Sequence, residues 1–540
     1  MKHRRIRNRV AAAIVALGMF ASACGSADDA KSGDTSGSTQ AGTGDTEAPE
    51  GTDAPMGTEA PVELSDATLR VGANFASVAI FDPAQEAGIP VSTEWMSLIY
   101  GRLIQPLPDR EVAPGLLTEW STPDDQTLEL TLREGVTFSD GTPFNGAAIK
   151  FSWERCKEKA EFKLDLFEAL ERVDVVDDTH VSVVLSKPYA GAWIDFLMQG
   201  SVYCMSIVSP TAVEELGDGY SAEPVGAGPY MLESYETDQK VVLVRNPDYF
   251  NPEQQPYAKI EFTHVALGPS TVTALASDQI DIARVPLPDT VAVEAAGLQV
   301  ERQPGDLLSH IYLCTTDGPF TNPDARRAAR LALDAPSLVD AATHGLGESV
   351  TQIMPPGSKY YSEVGLEENQ FNLEEAKALA KSSGLEGQTI DLMYYAISPE
   401  QATLGEVVKS QMEAIGLTVN LVPSENIYAD RSGQKPDMSL WGSFPSTYAS
   451  VLLADQPANP CNNTSPAIEE ALADLWRSDP EVAQAAAEAL QVAINEENPI
   501  LPYSRTVYAT GYNDSVGGTI FQPYSHAIGQ IDYTMLRPIE

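Results

Sequence analysis

The stretch Gln126-Thr127-Leu128-Glu129-Leu130-Thr131-Leu132-Arg133-Glu134-Gly135-Val136-Thr137-Phe138-Ser139-Asp140-Gly141-Thr142-Pro143 decides how this 540-residue chain is read. Its first seven residues alternate, with Leu128, Leu130 and Leu132 on one face and Thr127, Glu129 and Thr131 on the other. That is the pattern of a half-buried antiparallel strand. Asp140-Gly141 then supplies a tight turn, and Phe138, with Trp120 upstream, is a large anchor for a core. A hairpin is expected at Val173 to Leu185, where Asp177-Asp178 separates two β-branched segments.

Upstream, Thr68 to Val71 begins the folded body as a short strand and runs into Gly72-Ala73-Asn74-Phe75 and Phe81-Asp82-Pro83-Ala84. Loops at strand ends are natural ligand-contact positions. Downstream, helices alternate with strands. Asn372 and Glu375 form an N-cap and N3 pair for a helix over Leu373 to Ser383, with Gly384 as its stop. Thr389 to Tyr395 reads as a strand, Ala402 to Ile415 as an amphipathic helix ended by Gly416, and Leu417 to Val422 as another strand. That order implies a βαβ unit in a parallel or mixed sheet. Ser465-Pro466 and Asp479-Pro480 each open a further helix with proline at its first position.

No catalytic constellation stands out. HExxH, CxxC, GxSxG and GxxxxGK[ST] are all missing, and the six His are scattered, with His180 and His264 inside expected strands where they read as structural. The reading is therefore not an enzyme, with no cofactor and no metal. A formal net charge of −43, more negative still without the basic first residues, argues against nucleic acid, which needs a basic surface.

The ends give an address. Lys2, Arg4, Arg5, Arg7 and Arg9 precede an apolar run from Val10 to Phe20, too short to span a bilayer comfortably, and small residues follow. This reads as a signal peptide over residues 1–23. Ala21-Ser22-Ala23-Cys24-Gly25 resembles a lipobox, with Ala21 where Leu is usual, so Cys24 is the expected lipidation site. Residues 24–65 read as an acidic linker with Thr-Glu-Ala-Pro and Thr-Asp-Ala-Pro repeats at Thr46, Thr52 and Thr58 and no capacity for a core. The expected location is extracytoplasmic, on the outer face of the cell membrane, held by a lipid anchor only. Cys156, Cys204, Cys314 and Cys461 remain, an even number in an oxidising compartment, which suggests two disulfides in one of three pairings.

Longer motifs converge on one family. Pro114-Gly115-Leu116-Leu117-Thr118-Glu119-Trp120, the stretch from Leu132 to Pro143 and Ile149-Lys150-Phe151-Ser152 come in order. Pro224-Val225-Gly226-Ala227-Gly228-Pro229-Tyr230, Arg245-Asn246-Pro247-Asp248-Tyr249-Phe250, Pro323-Asp324-Ala325-Arg326-Arg327 and His344-Gly345-Leu346-Gly347 follow. Together they resemble the family 5 extracellular solute-binding proteins, the peptide and nickel binders of ABC importers. The resemblance implies an α/β, two-lobed periplasmic-binding-protein-like fold of the class II type, with an additional β-rich subdomain and a ligand cleft between the lobes. It places lobe I at 66–309 plus about 505–540, with the subdomain at about 112–222, and lobe II at 310–504. Pairing Cys156 with Cys204 and Cys314 with Cys461 is then favoured, because each pair lies within one lobe.

The resemblance implies a monomer that captures an oligopeptide or peptide-like ligand by cleft closure and passes it to ABC permease subunits served by cytoplasmic ATPases. The expected contacts are Asn74 and Phe75 at the first strand's end, Tyr312 near the crossing between lobes, and Trp441, Ser443, Phe444 and Tyr448. Arg326 and Arg327 are expected to be scaffold. One departure bears on the ligand. Peptide binders of the family carry an Asp three residues after the Trp, to hold the peptide's α-ammonium; here that position is Phe444, and no Asp or Glu occurs between Asp437 and Asp455. A buried ammonium needs a paired charge. A surface sensor or interaction lipoprotein of the same fold is the alternative from another class, and an enzyme comes third.

Overall fold

The alternating stretch forms the strand Thr127–Leu132, with Leu128, Leu130 and Leu132 all buried. It is the second strand of a four-stranded sheet ordered Leu117–Asp124, Thr127–Leu132, His180–Leu185 and Leu170–Val175, antiparallel throughout. The expected hairpin is the last pair of that order. Phe138 is fully buried beside Phe144, and Trp120, directly opposite the buried Leu130, packs half-buried against the same core. At Asp140-Gly141 the Gly141 N–H donates to the Phe138 carbonyl and the Asp140 carboxylate accepts from the Thr142 N–H, so the turn closes on itself.

A second, eleven-stranded sheet takes most of the remaining strands, and two small two-stranded sheets, Ile104–Pro106 with Val112–Pro114 and Val516–Gly518 with Leu536–Pro538, take the others. From one edge the order of the large sheet is Thr418–Ser424, Thr389–Tyr395, Met438–Ser443, Gln299–Leu313, Ile500–Tyr512, Ile282–Arg284, Thr68–Ala73, Lys259–His264, Lys240–Arg245 and Tyr230–Glu236, with Glu348–Ser349 beside Ile500–Tyr512. Two long antiparallel strands, Gln299–Leu313 and Ile500–Tyr512, hold its halves together. Their register shifts between Pro304 and Leu308. Met438–Ser443 pairs only with the part beyond that shift, and Ile282–Arg284 only with the part before it.

The computed structural model describes residues 64–74, 81–85, 90–107, 112–159, 165–198, 204–396, 398–443, 448–454, 456, 458–518, 520 and 531–539. Local signals set several of its elements. Asn372 accepts the Glu375 N–H at the start of Leu373–Ser383, its side-chain amide reaches the Glu375 carboxylate, and Gly384 ends the helix in the left-handed region. Thr389–Tyr395 and Thr418–Ser424 pair in parallel across the helix Pro399–Glu413, which makes the expected βαβ unit. Gly226 and Gly228 lie against the end of the helix Pro90–Tyr100, where any Cβ would run into the Ile99 and Leu98 carbonyl oxygens.

Covalent and polar ties complete the frame. The structure joins Cys156 to Cys204 and Cys314 to Cys461. Arg326 is buried, donates to the Phe320 carbonyl at 2.9 Å and lies 3.4 Å from the Glu497 carboxylate; Arg327 donates to the Glu368 carbonyl. Both are scaffold. Among the described residues, no helix is long and apolar enough to cross a membrane.

Candidate ligand-binding site

The strands Gln299–Leu313 and Met438–Ser443 pair with Leu308 opposite Ser443, His310 opposite Trp441 and Tyr312 opposite Ser439. Residues directly opposite in an antiparallel pair point to the same side, and the next residues point to the other. One face therefore carries Leu308, His310, Tyr312, Ser439, Trp441 and Ser443. The other carries Ile311, Leu313, Met438 and Leu440, which pack in a dry core with Ala328, Leu331, Leu338 and Met412 from the covering helices.

The first face is polar and aromatic, and one cation organises it. Arg431, on the helix Ile427–Gln434, is 2 % exposed and sets its guanidinium carbon 3.9 Å from the Trp441 ring centroid and 4.8 Å from that of Tyr312. A planar guanidinium is suited to such stacking, which desolvation strengthens. Its Nε–H donates to Ser439 Oγ at 2.9 Å and an Nη2 proton to the Ala458 carbonyl at 3.3 Å. The Tyr312 hydroxyl donates to Asn459 Oδ1 at 2.6 Å and accepts the Cys461 N–H at 3.3 Å. Burial pushes that phenol up to about 12.

His310 is fully buried. Burial lowers its pKa to about 3, with Arg431 acting in the same direction, so the imidazole is neutral. Its Nδ1 lies 3.4 Å from the Leu308 carbonyl oxygen, whereas Nε2 has no protein hydrogen-bond partner among the described residues. Ser443 Oγ, also buried, is in the same position.

Three of the expected residues, Tyr312, Trp441 and Ser443, thus share one sheet face. Tyr448 belongs to the same continuous apolar cluster, fully buried, with its hydroxyl donated to the Ile353 carbonyl. Asn74 is exposed at the end of Thr68–Ala73, a strand separated from Met438–Ser443 by three others. Phe75 and Phe444 lie outside the described residues. Sequence reasoning missed His310, Arg431 and Asn459. His310 had a signal, being two residues from Tyr312 on one strand; the other two had none.

The cluster that holds Trp441 and Tyr312 also includes Trp193 and Phe196 from the region of the four-stranded sheet, together with Leu475 and Trp476. Polar contacts join the same two regions. Asp125 accepts from Arg477 at 2.8 Å and from both the backbone N–H and the hydroxyl of Ser478. Ser478 and then Arg477 hold the Asp125 carboxyl below the usual carboxylate range. The Gly191 N–H donates to the Trp476 carbonyl at 3.1 Å, an approach with no room for a Cβ. Lys359 meets Asp195 at 2.9 Å; burial opposes the ammonium, but Asp195 outweighs it and the lysine pKa is raised.

Residues 111–459 match the model of the bacterial extracellular solute-binding proteins, family 5, middle part. The chain belongs to this family. This family 5 protein is 27 % identical over 303 residues to the glutathione-binding protein of Shigella flexneri, which covers 55 % of the chain. The match spans 57 % of that relative's own length. Its fold is that of an ABC transporter substrate-binding protein from Listeria monocytogenes, at TM-score 0.75 and 22 % identity over 88 % of this chain and 100 % of the other. The Escherichia coli murein tripeptide-binding protein superposes at TM-score 0.73 and 19 % identity, covering 88 % and 100 %.

Proposed function

We propose that this family 5 protein is the extracytoplasmic binding component of an ABC importer, capturing an oligopeptide or peptide-like solute between two lobes and releasing it to the permease. The observation that carries this reading is the two-sided strand pair. One side is sealed under helices, while the other turns Trp441, Tyr312, Ser443 and an Arg431 stack toward the region of the four-stranded sheet. The register shift between Pro304 and Leu308, opposite Val507 and Arg505, supports a lobe boundary near residues 309 and 505. Hinges are a few residues at element irregularities that absorb backbone change. In this reading the protein performs no catalysis, acts as a monomer, and hangs from a lipidated Cys24 after removal of its leader.

Thermal-shift titration against peptides, glutathione, sugars and metal chelates tests it. A true ligand stabilises by about 2.7 kcal/mol at a hundred times its Kd. If no class of solute moves the melting temperature, the transport role is lost. Phe444→Asp refines the ligand: the new carboxylate should add affinity for peptides with a free amino terminus, and acetylating that terminus should abolish the gain. An unchanged isothermal titration profile would remove Phe444 from the ligand's surroundings.

A further inference from the structure

We infer that His310 and Ser443 form a neutral hydrogen-bonding subsite on the cleft wall, which takes an uncharged donor group of the ligand, an amide N–H or a hydroxyl, in place of an ammonium. This rests on the reading of the Trp441 face as the ligand wall. The two side chains are diagonal neighbours across the strand pair, since Ser443 stands opposite Leu308 and His310 opposite Trp441. Diagonal pairs lie about 7 Å apart, a distance that one small polar group can bridge.

Their hydrogen-bonding state follows from their surroundings. The Leu308 carbonyl beside Nδ1 can only accept, so the ring proton belongs on Nδ1 and Nε2 is left as an acceptor. Nε2 and Ser443 Oγ are both buried and without protein partners among the described residues, in a molecule where Ser439, Tyr312, Asn459 and Arg431 on the same side are bonded. Buried polar groups are normally satisfied, and those that are not call for a reason. An acceptor and a hydroxyl kept side by side on one wall suit a ligand that supplies the donor.

Charge selects which donor. The Arg431 guanidinium stacks on Trp441 and Tyr312, the residues directly opposite and two along from His310, so a second cation there meets repulsion in a desolvated place. No acidic residue between Asp437 and Asp455 offsets it. An amide N–H or hydroxyl carries no such cost.

The test uses the mature protein as wild type, His310→Phe and Ser443→Ala, with tri-alanine and N-acetyl-tri-alanine as probes. Unliganded melting temperature and isothermal titration are both read. The expected wild type binds the acetylated probe at least as tightly as the free amine. His310→Phe should melt no lower than wild type when unliganded, yet bind at least tenfold more weakly, and Ser443→Ala should shift both readings the same way to a smaller degree. The inference is overturned if either variant binds with wild-type affinity, if His310→Phe melts several degrees lower as a satisfied core histidine would require, or if wild type prefers the free amine more than tenfold. A wild type that responds to neither of these probes, nor to any member of the wider panel, overturns the ligand-wall reading and this inference with it.

Discussion

The two faces of one strand pair, residues 308–313 against 438–443, come from the same alternating segments and have opposite contents. Ile311, Leu313, Met438 and Leu440 face helices and pack into a cluster of apolar side chains. Leu308, His310, Tyr312, Ser439, Trp441 and Ser443 face a buried guanidinium and, beyond it, a region distant in sequence. The contrast shows how a sheet can be scaffold and recognition surface at once: the period of two separates the tasks, so a change at one residue need not disturb its neighbour. It also gives the contrast a measurable form, because damage to the dry face should appear as lost stability and damage to the polar face as lost binding.

The largest stability effect is expected from Leu440→Ala, which opens a cavity on the dry face. About 3 kcal/mol should be lost in urea unfolding, with the thermal response to ligand retained by the folded fraction. A loss below about 1 kcal/mol would mean that this face is not closely packed. Arg431→Met comes next, on the other face. It removes two ring contacts and the bonds to Ser439 and Ala458, so about 2 kcal/mol should go together with most ligand response. Arg431→Lys should not restore it, since an ammonium cannot stack as a plane; full rescue by lysine would show that charge alone matters.

Tyr312→Phe should cost about 1 kcal/mol by denaturant titration, because only the hydroxyl shared with Asn459 and Cys461 is lost while the ring under Arg431 remains. The smallest effect belongs to Asp125→Asn, below about 1 kcal/mol, since Arg477 is well exposed and its ion pair is screened. Its sign with pH is definite. The folded pKa of Asp125 is depressed, so its contribution is present above the unfolded value and fades as pH falls through the folded one. The difference between wild type and Asp125→Asn should therefore narrow as the solution is acidified through the carboxylate range, and a gap that widens in acid would contradict the ion pair.

Legibility followed the range of the interaction. The strand Thr127–Leu132, the Asn372 cap and the parallel pair around Pro399–Glu413 depend on neighbours within a few residues or on one crossover, and their residue types announce them. Trp120 packs against the core as its size suggests, and only the packing around it decides that it stays half-buried. At the site, Tyr312 and Trp441 could be named from motif position. Their partnership through Arg431 could not, since a single arginine on a short helix carries no pattern. Asn459, 147 residues from the tyrosine it serves, is legible only once the chain is folded.

What the sequence determined by itself was the set of local choices: alternation, caps, turns, an acidic surface and an ordered series of motifs. These are decided by steric and hydrogen-bonding preferences that act over a turn or a strand. Tertiary structure alone decided which cysteines meet, which side of the strand pair is dry, and that Arg431 lies across Trp441 and Tyr312. Alternation guarantees that a strand has two faces. Only the elements that arrive from elsewhere in the chain, and the register in which they arrive, determine what each face is for.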